Sequence, residues 1–239
     1  MQTPINKDNI VLFADTNADL IKNAPRALVM EFHGLSYCPG ISREVGRLGR
    51  FLAERDIIYA IPYYGPWDWM NDKAVKYNDE VVDALFARFG VGSLPVVSSG
   101  LSMGGLGALV WCVYTRHKPV ACAANCPVCD LPYHYTERED LPRTIYSAFS
   151  HYDMSLEDAM KTASPLHLAD RLPDIPYAFF LAENDEEVDL RMHGDRLIPK
   201  LRERGLSVER VFSPGRGHCD FTEEAINRYY GFLALDFES

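Results

Sequence analysis

Nowhere in the 239 residues do apolar side chains run long enough to cross a bilayer, and nowhere do basic residues form a block. The first absence excludes a membrane-spanning helix. The second, with a formal net charge of −10, disfavours nucleic acid and anionic membrane surfaces as partners. The opening Met1-Gln2-Thr3-Pro4-Ile5-Asn6 lacks the basic and apolar regions of a secretory signal. Six cysteines, at 38, 112, 122, 126, 129 and 219, sit mostly in apolar contexts and read as reduced thiols of a cytoplasmic protein. Internal repeats, low-complexity tracts and flexible linkers are missing too, so one domain over residues 1–239 is expected. The C-x-x-C of Cys126-Pro127-Val128-Cys129 has no second closely spaced ligand pair, although His134 or Cys219 could join it at a metal. Asp130 and Pro132 follow it without helical periodicity, whereas a redox dithiol normally opens a helix.

What is present is an alternation of buried runs and amphipathic segments. Strands are expected at Asn9–Ala14, Ala27–Phe32, Ile57–Pro62, Pro95–Gly100, Val120–Asn125, Tyr177–Ala182 and Ser207–Phe212. Helical stripes lie between them. Ile41, Val45, Leu48 and Leu52 form one, and Val82, Leu85, Phe86 and Phe89 form another that Gly90 ends. Gly194, Leu197, Ile198 and Leu201 mark a third helix, and a last one starts near Thr222. This is the pattern of a three-layer α/β protein, with a mostly parallel sheet of about seven strands and helices on both faces. Residues 130–173 break the rhythm. They carry two short amphipathic segments (Ile145 to Tyr152, and Leu156 to Ala163 with Ser155 as N-cap), expected to form a small helical cap over the sheet.

The most informative stretch is Gly100-Leu101-Ser102-Met103-Gly104, a G-x-S-x-G between the strand residues Val96 and Val97 and the helical Leu106, Leu109 and Val110. A strand-to-helix turn of this kind holds the serine in a strained conformation with its hydroxyl exposed, and leaves no room for side chains at its two glycines. A serine needs a base, and the base needs an orienting carboxylate. Of the seven histidines, His218 lies in the glycine-rich loop Ser213-Pro214-Gly215-Arg216-Gly217-His218, which can swing an imidazole over the sheet edge. His117, His134, His167 and His193 read as packing or solvated side chains; His151 is the one of that group placed to touch a substrate. The acid is expected after Tyr177–Ala182, where Asp185 is favoured, Glu183 is its nearest rival and Asp130 ranks behind both. Oxyanion donors follow from the same geometry: the N–H of Met103 at the helix start, and the N–H of Leu35 after Gly34. His33 reads as a residue steadying that loop.

The order His33-Gly34, Gly100-Leu101-Ser102-Met103-Gly104, Asp185, Gly217-His218 resembles the α/β-hydrolase superfamily over nearly the whole chain. The longer string from Gly100 to Leu109 resembles esterase D and related acyl-ester hydrolases. Ser164-Pro165, Ile175-Pro176 and the Asp185 loop are similar to the catalytic domain of the prolyl-oligopeptidase group. The resemblance implies a Ser102–His218–Asp185 triad with neither metal nor organic cofactor. Two departures stand out: Ala182 replaces the usual glycine three residues before the acid, and the N-terminal hairpin is trimmed to one strand. The expected activity is hydrolysis of a small acyl ester, acylated carbohydrates and aryl esters included, with Tyr37 and Trp67 as aromatic contacts to substrate. A serine peptidase of the prolyl-oligopeptidase type and a non-catalytic binding module are the alternatives. Chromogenic esters beside an aminoacyl amide separate the first two, and failure of a fluorophosphonate to label Ser102 favours the third.

Overall fold

The computed structural model describes residues 3–35 and 45–236. Its centre is a seven-stranded sheet made of β1 (Ala14–Thr16), β2 (Ala27–Phe32), β3 (Ile57–Pro62), β4 (Val96–Leu101), β5 (Ala121–Asn125), β6 (Tyr177–Ala182) and β7 (Val208–Ser213), in the order β1-β3-β2-β4-β5-β6-β7. Only β1 runs antiparallel, against β3. Every residue of β2, β5 and β6 is buried. Sheets covered on both faces demand such unbroken apolar runs, which is why these strands were legible as runs and not as alternations.

Helices cover both faces. Leu28, Met30 and Phe32 of β2 share a core with α2 (Asp72–Phe89), α3 (Met103–Tyr114) and α7 (Gly194–Glu203). Ala27 and Val29 share the opposite core with α1 (Gly46–Ala53) and α8 (Glu223–Leu233). The expected caps are in place: Gly90 ends α2 in the left-handed region at φ 65°, and the Thr222 side chain accepts from the Ala225 N–H to start α8. Ile41, expected on the α1 stripe, lies outside the described residues.

The first strand needs correction. Asn9–Ala14 does not form it; Ile10–Leu12 is a 3-10 turn, and the strand begins at Ala14. Ile10 is buried while Val11 and Leu12 stand in solvent, so this run has only one anchor. The strand forms instead where Asn17 clamps the neighbouring chain, accepting from the Tyr59 N–H and donating to the carbonyls of Ile57 and Gly49. Between β5 and β6 the chain forms α4 (Leu131–His134), α5 (Leu141–Phe149), α6 (Leu156–Thr162) and a 3-10 turn at Ala169–Arg171. The two expected segments are α5 and α6, with Ser155 accepting from the Asp158 N–H. The four-residue α4, capped by Asp130, is too short to show a period. No helix among the described residues is long and apolar enough to cross a membrane.

Candidate active site

The strand order reverses between β2 and β4, which pair directly with Phe32 opposite Gly100. In an open parallel sheet the crevice beyond the carboxyl ends of strands at such a point is where ligands bind. Two loops meet there. Ser102 follows β4 with φ 59° and ψ −119°, and its N–H donates to the Asn125 carbonyl at 2.8 Å. The glycines around it are steric necessities. A Cβ on Gly100 would lie 2.1 Å from the Gly104 carbonyl oxygen, and one on Gly104 would lie 1.9 Å from that of Phe32. Gly34, after β2, sits so close that its own Cβ would stand 3.7 Å from the Ser102 Cβ.

The loops after β6 and β7 bring in a charged pair. Asp185 faces His218 Nδ1 with both carboxylate oxygens, at 2.9 and 2.8 Å. It is itself fixed by the N–H groups of Glu187 and Val188, each at 3.0 Å. Burial opposes charge on the His218 imidazole, yet the Asp185 hydrogen bond and charge, helped by Cys126, outweigh it and push the group up to about 9. Nδ1 therefore holds a proton and Nε2 faces outward. Nε2 lies 3.6 Å from Cys219 Sγ, and no hydrogen bond joins it to the Ser102 hydroxyl in this structure. Catalytic hydrogen bonds are commonly open before substrate binds.

Ser102, His218, Cys219, Gly34 and Leu35 line a cavity of about 690 Å³. Its apolar wall includes Ile61, Trp69, Leu101, Leu141 and Val188; Glu31, His134, Arg138 and Glu187 add polar groups. That volume suits a small-molecule ligand.

No protein-family model matches the sequence, and no curated protein matches it. Solved structures do match the fold. Esterase B from Lactobacillus rhamnosis, inhibited by a tributyrin phosphonate, superposes with a TM-score of 0.68 at 15% identity over 90% of this chain and 78% of that one. Esterase PE8 gives 0.62 at 18% identity, covering 91% and 95%. A puromycin-hydrolyzing peptidase from Mycobacterium tuberculosis gives 0.67 at 18% identity, over 89% of this chain and 35% of that one. The fold is that of the α/β-hydrolases.

On this α/β-hydrolase scaffold, residues read as candidates from sequence fall in different places. Ser102, His218 and Leu35 share the cavity, Asp185 backs the imidazole, and Met103 is buried at the head of α3. Glu183 accepts from the Gly215 N–H and bears on the loop that carries His218, while Asp130 pairs with Arg196. Trp67 does not line the cavity: it packs beside the Arg143 guanidinium, 5.0 Å from its ring centre, and Trp69 takes the position on the wall. Tyr37 lies outside the described residues. His151 binds Asp72, away from the cavity. His33 directs Nδ1 at the Gly34 carbonyl, 3.0 Å away, as a loop-steadying residue should.

Sequence reasoning missed a buried polar layer beneath the site. His193, read from sequence as a packing or solvated side chain, is 1% exposed, and its Nδ1 accepts the N–H groups of Cys129 and Asp130. That leaves the proton on Nε2, which donates to Glu137 at 2.9 Å, and His134 donates to the same carboxylate. Burial disfavours a charge on Glu137, but the two imidazoles outweigh it and hold the group down at about 2. With Nδ1 of His193 committed as an acceptor, ligation through Nε2 would demand an imidazolate, so this trio reads as a structural hub of the 130–173 segment. The C-x-x-C is not a redox pair either: Cys129 is fully buried, and burial raises its thiol.

Glu31 carried a readable signal, being the one charge in the strand Ala27–Phe32. Burial raises its carboxyl to about 7, against the lowering effect of the Tyr229 hydroxyl at 2.8 Å. Between pH 4.5 and 7 the unfolded chain releases this proton while the native state keeps it, so stability falls across that window by up to about 3 kcal/mol. Glu31→Gln is expected to flatten that decline. Denaturant midpoints measured from pH 5 to 8 check it; parallel slopes in variant and wild type would refute the assignment.

Proposed function

We propose that this chain is a serine carboxylic-ester hydrolase that acts on a small acyl ester through an acyl-enzyme. The observation carrying the reading is a strained serine and an imidazole with a carboxylate behind it, both opening on one small-molecule-sized cavity. Ser102 Oγ attacks the ester carbonyl carbon and gives its proton to His218 Nε2, while the N–H groups of Leu35 and Met103 receive the oxyanion. Collapse of the tetrahedral intermediate breaks the carbonyl–alkoxy bond, and His218 returns the proton to the departing alcohol. Water, deprotonated by the same imidazole, then releases the acid. Asp185 holds Nδ1–H so that Nε2 is the accepting nitrogen. Residues 130–173 act as a cap within one domain: His134, Arg138 and Leu141 from this segment line the cavity.

Turnover of p-nitrophenyl acetate and butyrate, set beside a chromogenic aminoacyl amide, tests the reading. Ester hydrolysis with little amide hydrolysis supports it; the reverse preference would point to a peptidase. The protonation of His218 gives a sharper expectation. Only the neutral imidazole accepts the serine proton, so kcat/KM should rise with pH through an apparent value near 9, well above that of free histidine. Asp185→Asn removes the raising influence and should move that limb to lower pH, with a large loss of kcat. An unmoved limb would sink the assignment of Asp185.

A further inference from the structure

Two thiols converge on the imidazole of His218. Cys126 Sγ, Cys219 Sγ and an imidazole nitrogen of His218 all lie within 4.8 Å of one another. Cys126 and Cys219 both take left-handed backbone conformations, at φ 40° and 54°, for residues that have no glycine freedom. Such strain persists only where the surroundings impose it.

We infer that Cys126 Sγ, His218 Nε2 and Cys219 Sγ form a binding site for a thiophilic divalent cation of the zinc type, which when filled withdraws the imidazole from Ser102. The inhibitory half rests on the hydrolase reading; the metal site itself does not. A tetrahedral zinc ion with nitrogen at about 2.05 Å and sulfur at about 2.3 Å holds those two donors about 3.6 Å apart. His218 Nε2 and Cys219 Sγ stand 3.6 Å apart. The outer shell is built as metal sites are built: the ligating imidazole donates its other N–H to a carboxylate, here Asp185 at 2.8 Å. The Cys219 thiol and burial oppose a thiolate on Cys126, and the Cys219 N–H, donating to Cys126 Sγ at 3.4 Å, only partly offsets them, so the ion must displace that proton. Cys219 lines the cavity, which gives an ion its route in and leaves the fourth position to water. Below about pH 9, binding releases one proton from each thiol and one from His218 Nε2 to solvent, and it changes no oxidation state. The sequence pair Cys126–Cys129 is thus split, Cys126 turning to a residue distant in the chain.

Reduced, chelator-treated protein titrated with CoCl2 should bind one ion per chain, with thiolate-to-cobalt charge transfer in the near ultraviolet and the visible bands of a tetrahedral ion. Asp185→Asn should weaken binding roughly 10–100-fold, as loss of a metal-site hydrogen bond to a ligating histidine does. Cys219→Ser, at a half-exposed position, should abolish the charge-transfer band while the far-ultraviolet circular dichroism stays native. ZnCl2 should stop ester turnover by the wild type, and EDTA should restore it. A band that survives in Cys126→Ser/Cys219→Ser, or no band in the wild type, overturns the site; full turnover with zinc bound overturns its inhibitory role. Cobalt binding in a protein that hydrolyses no ester would count against the hydrolase reading alone.

Discussion

Ser102→Ala is expected to lower kcat for p-nitrophenyl butyrate by about 10⁴-fold or more, with the fold intact. Removing the hydroxyl leaves no atom to form the acyl bond, so the residual rate reflects only binding and the oxyanion donors. The substitution is conservative where it matters for folding. Alanine keeps the Cβ that Ser102 already carries at φ 59°, and the backbone hydrogen bonds to Asn125 and Leu106 do not involve the side chain. Thermal unfolding should therefore be nearly unchanged, and labelling by a fluorophosphonate should vanish. Turnover within tenfold of wild type would mean that another group attacks, and the functional reading would be wrong.

Gly104→Ala tests the scaffold instead of the chemistry and should be among the most damaging single changes in the molecule. Its Cβ would sit 1.9 Å from the Phe32 carbonyl oxygen and 2.7 Å from that of His33. Those are backbone atoms, and Phe32 is pinned in the sheet opposite Gly100. Nothing flexible can give way, so α3 must lift off β2 or the elbow must deform. A loss of about 4 kcal/mol or more is expected, as for severe backbone and packing defects. For a chain of this size that corresponds to a fall in Tm on the order of 10 °C, measurable by calorimetry. Gly231→Ala in α8, whose Cβ would meet nothing within 4 Å, is the matched control. It should hold or raise stability by up to about 1 kcal/mol. Equal effects of the two changes would discredit the steric account of the elbow.

The two histidine environments explain what could and could not be read ahead of the structure. His218 was legible because chemistry and position coincide: a glycine-rich loop after the last strand of a parallel sheet ends on the same edge as Ser102. His193 was not, because nothing in Leu190-Arg191-Met192-His193-Gly194 distinguishes an imidazole facing solvent from one accepting two backbone N–H groups of a distant loop. The acid was half legible. Position narrowed it to the loop after β6, but the choice of Asp185 over Glu183 is made by a contact across 33 residues, and Glu183 turned out to bind the same loop through Gly215. The aromatic wall shows the same limit: Trp67 and Trp69 are two positions apart, and only Trp69 reaches the cavity.

The chain alone decided the α/β layering, six of the seven strands to within a residue at either end, and the glycine-bounded elbow. These are local or periodic properties, set by unbroken buried runs, by caps, and by the room a tight turn allows. Tertiary structure decided which side chains meet: His218 with Asp185, Cys126 with Cys219, Glu31 with Tyr229. Pairings of that kind depend on strand order and loop direction, and a one-dimensional pattern holds no record of distance through space.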